Sequence, residues 1–176
     1  METLAIIPCR KGSKGLPGKN TKDFCGKPLV LWTIEEIKKC KSVTRVLLST
    51  DDPKAREVAL ANGVEVPFMR PADISGDLAT DYEFISHALN FLQSKESYSP
   101  DIVIRLPVTS PLRRADHVEH GIQTLVNTPG ADSVRPICPV SKHPYKFWKK
   151  SSDTRFVEPF LDESFTGFKE SANLPR

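Results

Sequence analysis

The stretch Leu4-Ala5-Ile6-Ile7-Pro8-Cys9-Arg10-Lys11-Gly12-Ser13-Lys14-Gly15-Leu16-Pro17-Gly18-Lys19-Asn20 decides how the rest of the chain is read. Leu4 to Pro8 is a short apolar run of the kind that forms a strand buried in a parallel sheet, and it runs directly into a long basic loop. In an open α/β sheet ligands sit beyond the carboxyl ends of the strands, so this first strand delivers the loop to the ligand-binding edge. Gly12, Gly15 and Gly18 let the backbone approach a ligand, while Arg10, Lys11, Lys14 and Lys19 supply charge to neutralise a polyphosphate. A Walker A loop is excluded, because Gly18-Lys19 is followed by Asn20 and the position five before Gly18 is Ser13. The dinucleotide fingerprint is excluded too, since the three glycines are evenly spaced and no compact helix entry follows.

Working outward, Pro28 opens a helix with Leu29, Trp32, Ile34 and Ile37 at helical spacing and Lys38, Lys39 and Lys41 in its last turn, where the dipole favours cations. Val43 to Ser49 reads as a second strand. Asp51 or Asp52 caps a helix begun by Pro53 and ended by Asn62-Gly63, and a cap is the preferred role for this carboxylate pair over metal ligation. Val64 to Phe68 is a short third strand, Ala79 to Leu92 a helix with Tyr82, Ile85, Ala88 and Leu89 inward, and Asp101 to Leu106 a fourth strand. Ala115 to Asn127 is a further helix and Asp132 to Cys138 a fifth strand. The order predicts an α/β fold, a mostly parallel sheet flanked by helices, over residues 1–138. From Pro139 onward the pattern gives way to Pro, Lys, Ser and aromatic residues, which we read as a C-terminal segment over 139–176 that is an arm, a lid or an interface element.

The totals bound the function classes. A chain of 176 residues is one domain in length, and 39% hydrophobic with 27% charged residues is ordinary globular usage. Net charge is only +3 with the signs interspersed, which argues against a nucleic-acid surface. No apolar run reaches transmembrane length and the N-terminus lacks a leader pattern, so a cytoplasmic protein without a membrane partner is expected. Cys9, Cys25, Cys40 and Cys138 form no C-x-x-C pair and read as reduced thiols. His87, His117, His120 and His143 have no metal-like pairing, and Thr109-Ser110-Pro111 lacks a nucleophile elbow, so that segment is expected to shape a pocket floor.

The run Ile7 to Asn20 resembles the signature loop of the acylneuraminate cytidylyltransferases, the CMP-sialic acid synthetases. Phe24 to Thr33, Leu48 to Asp52, Phe68 to Ala72, His87 to Leu89, Thr109 to Arg113 and Asn173 to Arg176 fall in the same order as in that family. The resemblance implies a Rossmann-like nucleotide-diphospho-sugar transferase fold, a homodimer in which an arm reaches the partner, and Mg2+-dependent transfer of CMP from CTP to a sialic-acid-like sugar acid with release of pyrophosphate. Carried over by residue, it implies Arg10 and Lys19 on the triphosphate as the catalytic cations, with Lys11, Gly12, Ser13, Lys14 and Gly15 in the enclosing loop. It implies Asn20 and Arg70, with Thr80 or Asp81, around ribose and cytosine, and Lys146 and Arg176 near the sugar.

Two departures accompany the resemblance. Pro107 stands where the family commonly carries a glutamine whose amide meets the sugar, and the sequence ends at Arg176, before the family's paired aspartates for magnesium. No protein ligand for Mg2+ is therefore expected within it. Two further readings stay open: a nucleotide-binding subunit without catalysis, and a 3-deoxy-manno-octulosonate cytidylyltransferase. Arg70-Pro71-Ala72 and Thr109 to Arg113 favour the nine-carbon sugar acids over the latter.

Overall fold

The computed structural model describes residues 1–13, 15–137, 148–150 and 157–159. It divides into a unit spanning Met1–Val134 and a second spanning Arg135–Arg176. The first is built on a parallel sheet in the order β4-β1-β5, with β1 at Thr3–Pro8, β4 at Arg45–Ser49 and β5 at Ile102–Arg105. β1 pairs with β4 from Leu4↔Arg45 to Pro8↔Ser49 and with β5 from Thr3↔Ile102 to Ile6↔Arg105.

The apolar run of β1 has its cause in burial on both faces. Ala5 and Ile7 pack with Leu48 and with Val30, Ile34 and Ile37 of α1 (Leu29–Ile37) and Ala55 and Ala59 of α2 (Pro53–Ala61). Leu4 and Ile6 pack with Leu47 and with Phe84, Ala88 and Leu92 of α3 (Asp81–Glu96). α4 (Ala115–Val126) leans on the first layer through Ala115 and Val118. Fully burying a Leu or Ile side chain contributes about 1.5–3 kcal/mol, so the centre of the sheet anchors the loops at its carboxyl edge. Between β1 and α1 lies a small antiparallel pair, β2 (Asp23–Phe24) and β3 (Lys27–Pro28). In the second unit, β6 (Trp148–Lys150) pairs antiparallel with β7 (Val157–Pro159).

The expected α/β fold and parallel sheet are present, with local corrections. Thr80 and Glu83 form a capping box, the Thr80 N–H donating to Glu83 Oε2 at 2.6 Å, and this starts α3 at Asp81. The inward stripe is Phe84, Ala88 and Leu92, with Ile85 and Leu89 packed against it as expected. Tyr82, expected inward, sits about 200° around the helix from Phe84 and is 79% exposed. Helix α1 ends at Ile37, so Lys38, Lys39 and Lys41 follow the last turn instead of filling it; Lys38 Nζ reaches the Asn62 carbonyl at 3.0 Å. The third strand is reduced to the bridges Leu47↔Glu65 and Thr50↔Met69, because Pro67 between them has no N–H to continue a ladder. Residues 132–137 form no strand, having no pairing partner among the described residues; Cys138 lies outside them.

Candidate active site

The loop after β1 is held by its neighbours from both ends. The Cys9 N–H donates to the Ser49 carbonyl at 3.0 Å and the Thr50 hydroxyl donates to the Cys9 carbonyl, so the loop leaves the sheet locked to the end of β4. The Lys11 N–H donates to Asp51 Oδ1 at 2.7 Å. The Asn20 amide, almost fully buried, donates from Nδ2 to the Arg10 carbonyl at 3.0 Å, clasping the start of the loop to its end. Gly18 turns the chain at φ +64°, the left-handed region that favours glycine, and leads into a short 3-10 turn at Lys19–Thr21. Burial pushes the Cys9 thiol up to about 12, helped by the nearby Asp52 carboxylate, so this sulfur packs and does not react.

Asp51 and Asp52 divide their work. Asp52 is the N-cap of α2, its Oδ1 accepting from the Lys54 N–H at 3.0 Å, as the capping reading expects. Asp51 positions the basic loop, a role that the order of residues alone did not disclose.

An open cleft of about 200 Å³ lies at the carboxyl ends of the strands, lined among others by Arg10, Lys19, Asn20, Arg70, Asp81 and Arg105. Arg70 is buried: its Nε donates to Ser49 Oγ at 3.0 Å, its Nη2 to the Ser49 carbonyl, and its guanidinium lies over the Phe84 ring at 4.8 Å. Burial pulls its pKa below the ordinary arginine value, partly countered by the Asp51 charge. Arg10 pairs with Asp77 at 2.7 Å, and Arg105 pairs with Asp81 at 2.8 Å. Pro107, Val108 and Thr109 complete the wall on the β5 side, with Thr109 in the pocket-forming position its turn sequence suggests.

The other sequence-derived candidates fall as follows. Lys11, Gly12 and Ser13 line an adjoining hollow with Gly18 and the start of α2, and Gly15 is exposed on the loop. Thr80 caps α3 while its neighbour Asp81 faces the cleft. Lys14, Lys146 and Arg176 lie outside the described residues. Asp77, Arg105 and Phe84 were not singled out from sequence; an arginine closing an otherwise apolar strand was the available signal for Arg105.

A family model described as cytidylyltransferase matches residues 4–150. The chain belongs to the cytidylyltransferase family. It is 35% identical over 166 residues to the CMP-N,N'-diacetyllegionaminic acid synthase of Legionella pneumophila, covering 92% of this chain and 68% of that protein. It is 37% identical over 126 residues to a pseudaminic acid cytidylyltransferase of Campylobacter jejuni, covering 72% of this chain and 54% of that one. Among solved structures, a CMP:2-keto-3-deoxy-manno-octonic acid synthetase complexed with CTP superposes with a TM-score of 0.62 at 26% identity, over 74% of this chain and 49% of the other. This cytidylyltransferase-family chain thus spans about half to two thirds of the length of the relatives it matches. No helix among the described residues is long and apolar enough to cross a membrane.

Proposed function

We propose that this chain transfers CMP from CTP to a sialic-acid-like nonulosonic sugar acid. The observation that carries the reading is the convergence of Arg10, Lys19 and Arg70 on one cleft at the carboxyl edge of a parallel sheet, beside a loop clasped by Asn20. The family membership and the names of the relatives support the choice of nucleotide and acceptor class.

In this reading the acceptor's anomeric hydroxyl attacks the α-phosphorus of CTP. The new P–O bond forms as the bond to the bridging α,β oxygen breaks, pyrophosphate leaves with that oxygen, and the hydroxyl proton passes to solvent. Such transfer is mostly positioning and charge stabilisation. Arg10 and Lys19 hold the triphosphate and spread the developing charge; Lys11, Gly12, Ser13, Lys14 and Gly15 enclose it; Asn20, Arg70 and Asp81 border the nucleoside, with Thr80 fixing where α3 begins. Lys146 and Arg176 belong to the sugar side of the proposal.

Mg2+ enters as a companion of the CTP phosphates. The described residues do not fit a protein-held ion: no group of His, Cys, Asp or Glu side chains among them could hold a metal, and Asp77 and Asp81 face Arg10 and Arg105. A homodimer and a cytoplasmic setting complete the proposal.

Pyrophosphate release from CTP, measured with Mg2+ and a panel of acidic sugars, tests this. Release with N-acylneuraminate, legionaminate or pseudaminate is expected. Release only with 3-deoxy-manno-octulosonate would reassign the acceptor, and CTP binding with silence across the panel would leave a nucleotide-binding subunit without transfer.

A further inference from the structure

We infer that Arg105 is the specificity-determining cation that receives the carboxylate of the acceptor, oriented for that task by Asp81; the assignment rests on the transfer reading above. Arg105 closes β5 and pairs in register with Ile6, so it stands on the sheet face that α3 covers with Phe84, Ala88 and Leu92. A cation at that place does little for the fold. Its ion pair with Asp81 joins side chains that are 43% and 53% exposed, and exposed pairs are worth about 0–1 kcal/mol. An apolar residue would serve the strand at least as well.

What the position offers is access. Arg105 and Asp81 both line the cleft that contains Arg10 and Lys19. The pair engages Arg105 through Nε, which holds the guanidinium plane and leaves the edge bearing both Nη groups in the geometry that grips a carboxylate with two parallel hydrogen bonds. Pro107, two residues beyond the end of β5, also lines the cleft. Proline brings no donor to that wall; the guanidinium two residues earlier does.

A second arginine marks the same wall. Arg113 donates from Nη2 to the Pro107 carbonyl at 2.9 Å, and its Nη1 is buried without a hydrogen-bond partner. Burial first, and then the like charge of Arg105, pull the Arg113 pKa down. Two guanidiniums thus stand near Pro107, of which Arg105 is the one paired with Asp81, and an incoming anion relieves the excess of positive charge. Since the triphosphate has its own cations on the neighbouring strand's loop, the anion left to be met on the β5 side is the acid of the acceptor.

The test is calorimetric titration of N-acylneuraminate and of its methyl ester into the full chain saturated with a non-hydrolysable CTP analogue. A hydrogen-bonded charge pair corresponds to at least about a tenfold preference for the acid over the ester. That preference is expected in the wild type, to be lost in Arg105→Leu and partly kept in Arg105→Lys, with affinity for the CTP analogue within about twofold throughout. An undiminished preference in Arg105→Leu, or no preference in the wild type, overturns the assignment while the CTP analogue still binds. Failure of the wild type to bind the analogue instead overturns the transfer reading, and this assignment with it.

Discussion

Replacing Arg70 by methionine separates what this arginine does for the fold from what it does for a ligand. In the native chain Nε and Nη2 satisfy Ser49 Oγ and the Ser49 carbonyl, both at a fully buried residue, and the guanidinium covers Phe84. Methionine keeps the volume over Phe84 and removes both donors. The Ser49 carbonyl still accepts from the Cys9 N–H, so one buried acceptor, Ser49 Oγ, is left without its partner, at a cost of about 1–3 kcal/mol. For a domain of this size that is a fall in Tm of about 2–12 °C. Urea unfolding followed by far-UV circular dichroism, with the slope m unchanged, is the assay. Arg70→Lys, with one compact donor, should lie between. The reasoning fails if Arg70→Met unfolds within about 0.5 kcal/mol of the wild type, the range of an inconsequential surface change. It would then follow that the Ser49 contacts carry no net energy and that Arg70 serves the cleft alone.

Further outcomes follow from other contacts. Asp77→Asn removes a half-exposed ion pair from Arg10, worth about 0–1 kcal/mol to stability, and also a negative charge beside the proposed triphosphate; tighter CTP binding by up to about fivefold is expected in fluorescence titration, and weaker binding refutes the competition. Gly18→Ala forces a side chain into the left-handed region and should destabilise by about 1–2 kcal/mol, whereas a Cβ at Gly12 or Gly15 meets nothing within 4 Å. Gly12→Ala and Gly15→Ala should therefore melt as the wild type while binding CTP less tightly, and unchanged affinity in both would remove the phosphate cradle from these glycines. His87 packs its ring edge-on to Phe68 at 4.5 Å with Nδ1 buried and unpartnered, and burial, then the Arg70 charge, holds its pKa below 6.5. The unfolded chain then binds the proton more readily, so this contribution to stability is intact above about pH 6.5 and lost as pH falls through the lower folded-state value. His87→Leu should flatten that part of the stability profile, and an equally steep profile in the variant would refute it.

The relation between sequence and structure is clearest at particular residues. Asp52 and Pro53 were readable as a helix start because a cap and a proline act within one turn. Tyr82 was misplaced because the register of α3 depends on Thr80 and Glu83 closing a capping box, and a shift of two residues turns an inward position outward. The strand expected over Asp132 to Cys138 failed for another reason: β-branched content permits a strand, but only a neighbouring strand makes one, and residues 132–137 have none among those described.

By itself, the sequence determined the central strand, the basic loop that follows it, the βα alternation and the kinship with the cytidylyltransferases, all of which rest on apolar runs and motifs contiguous in the chain. Only the tertiary structure decided that Asp51 holds the Lys11 backbone across 40 residues, that Asp77 meets Arg10 across 67, and that Arg105 turns with Asp81 into the same cleft. Those contacts are made by strands lying side by side in the order β4-β1-β5, which brings loops remote in sequence to one edge. Charges that meet there leave no periodic trace along the chain, because what pairs them is the path of the sheet and not the spacing of the residues.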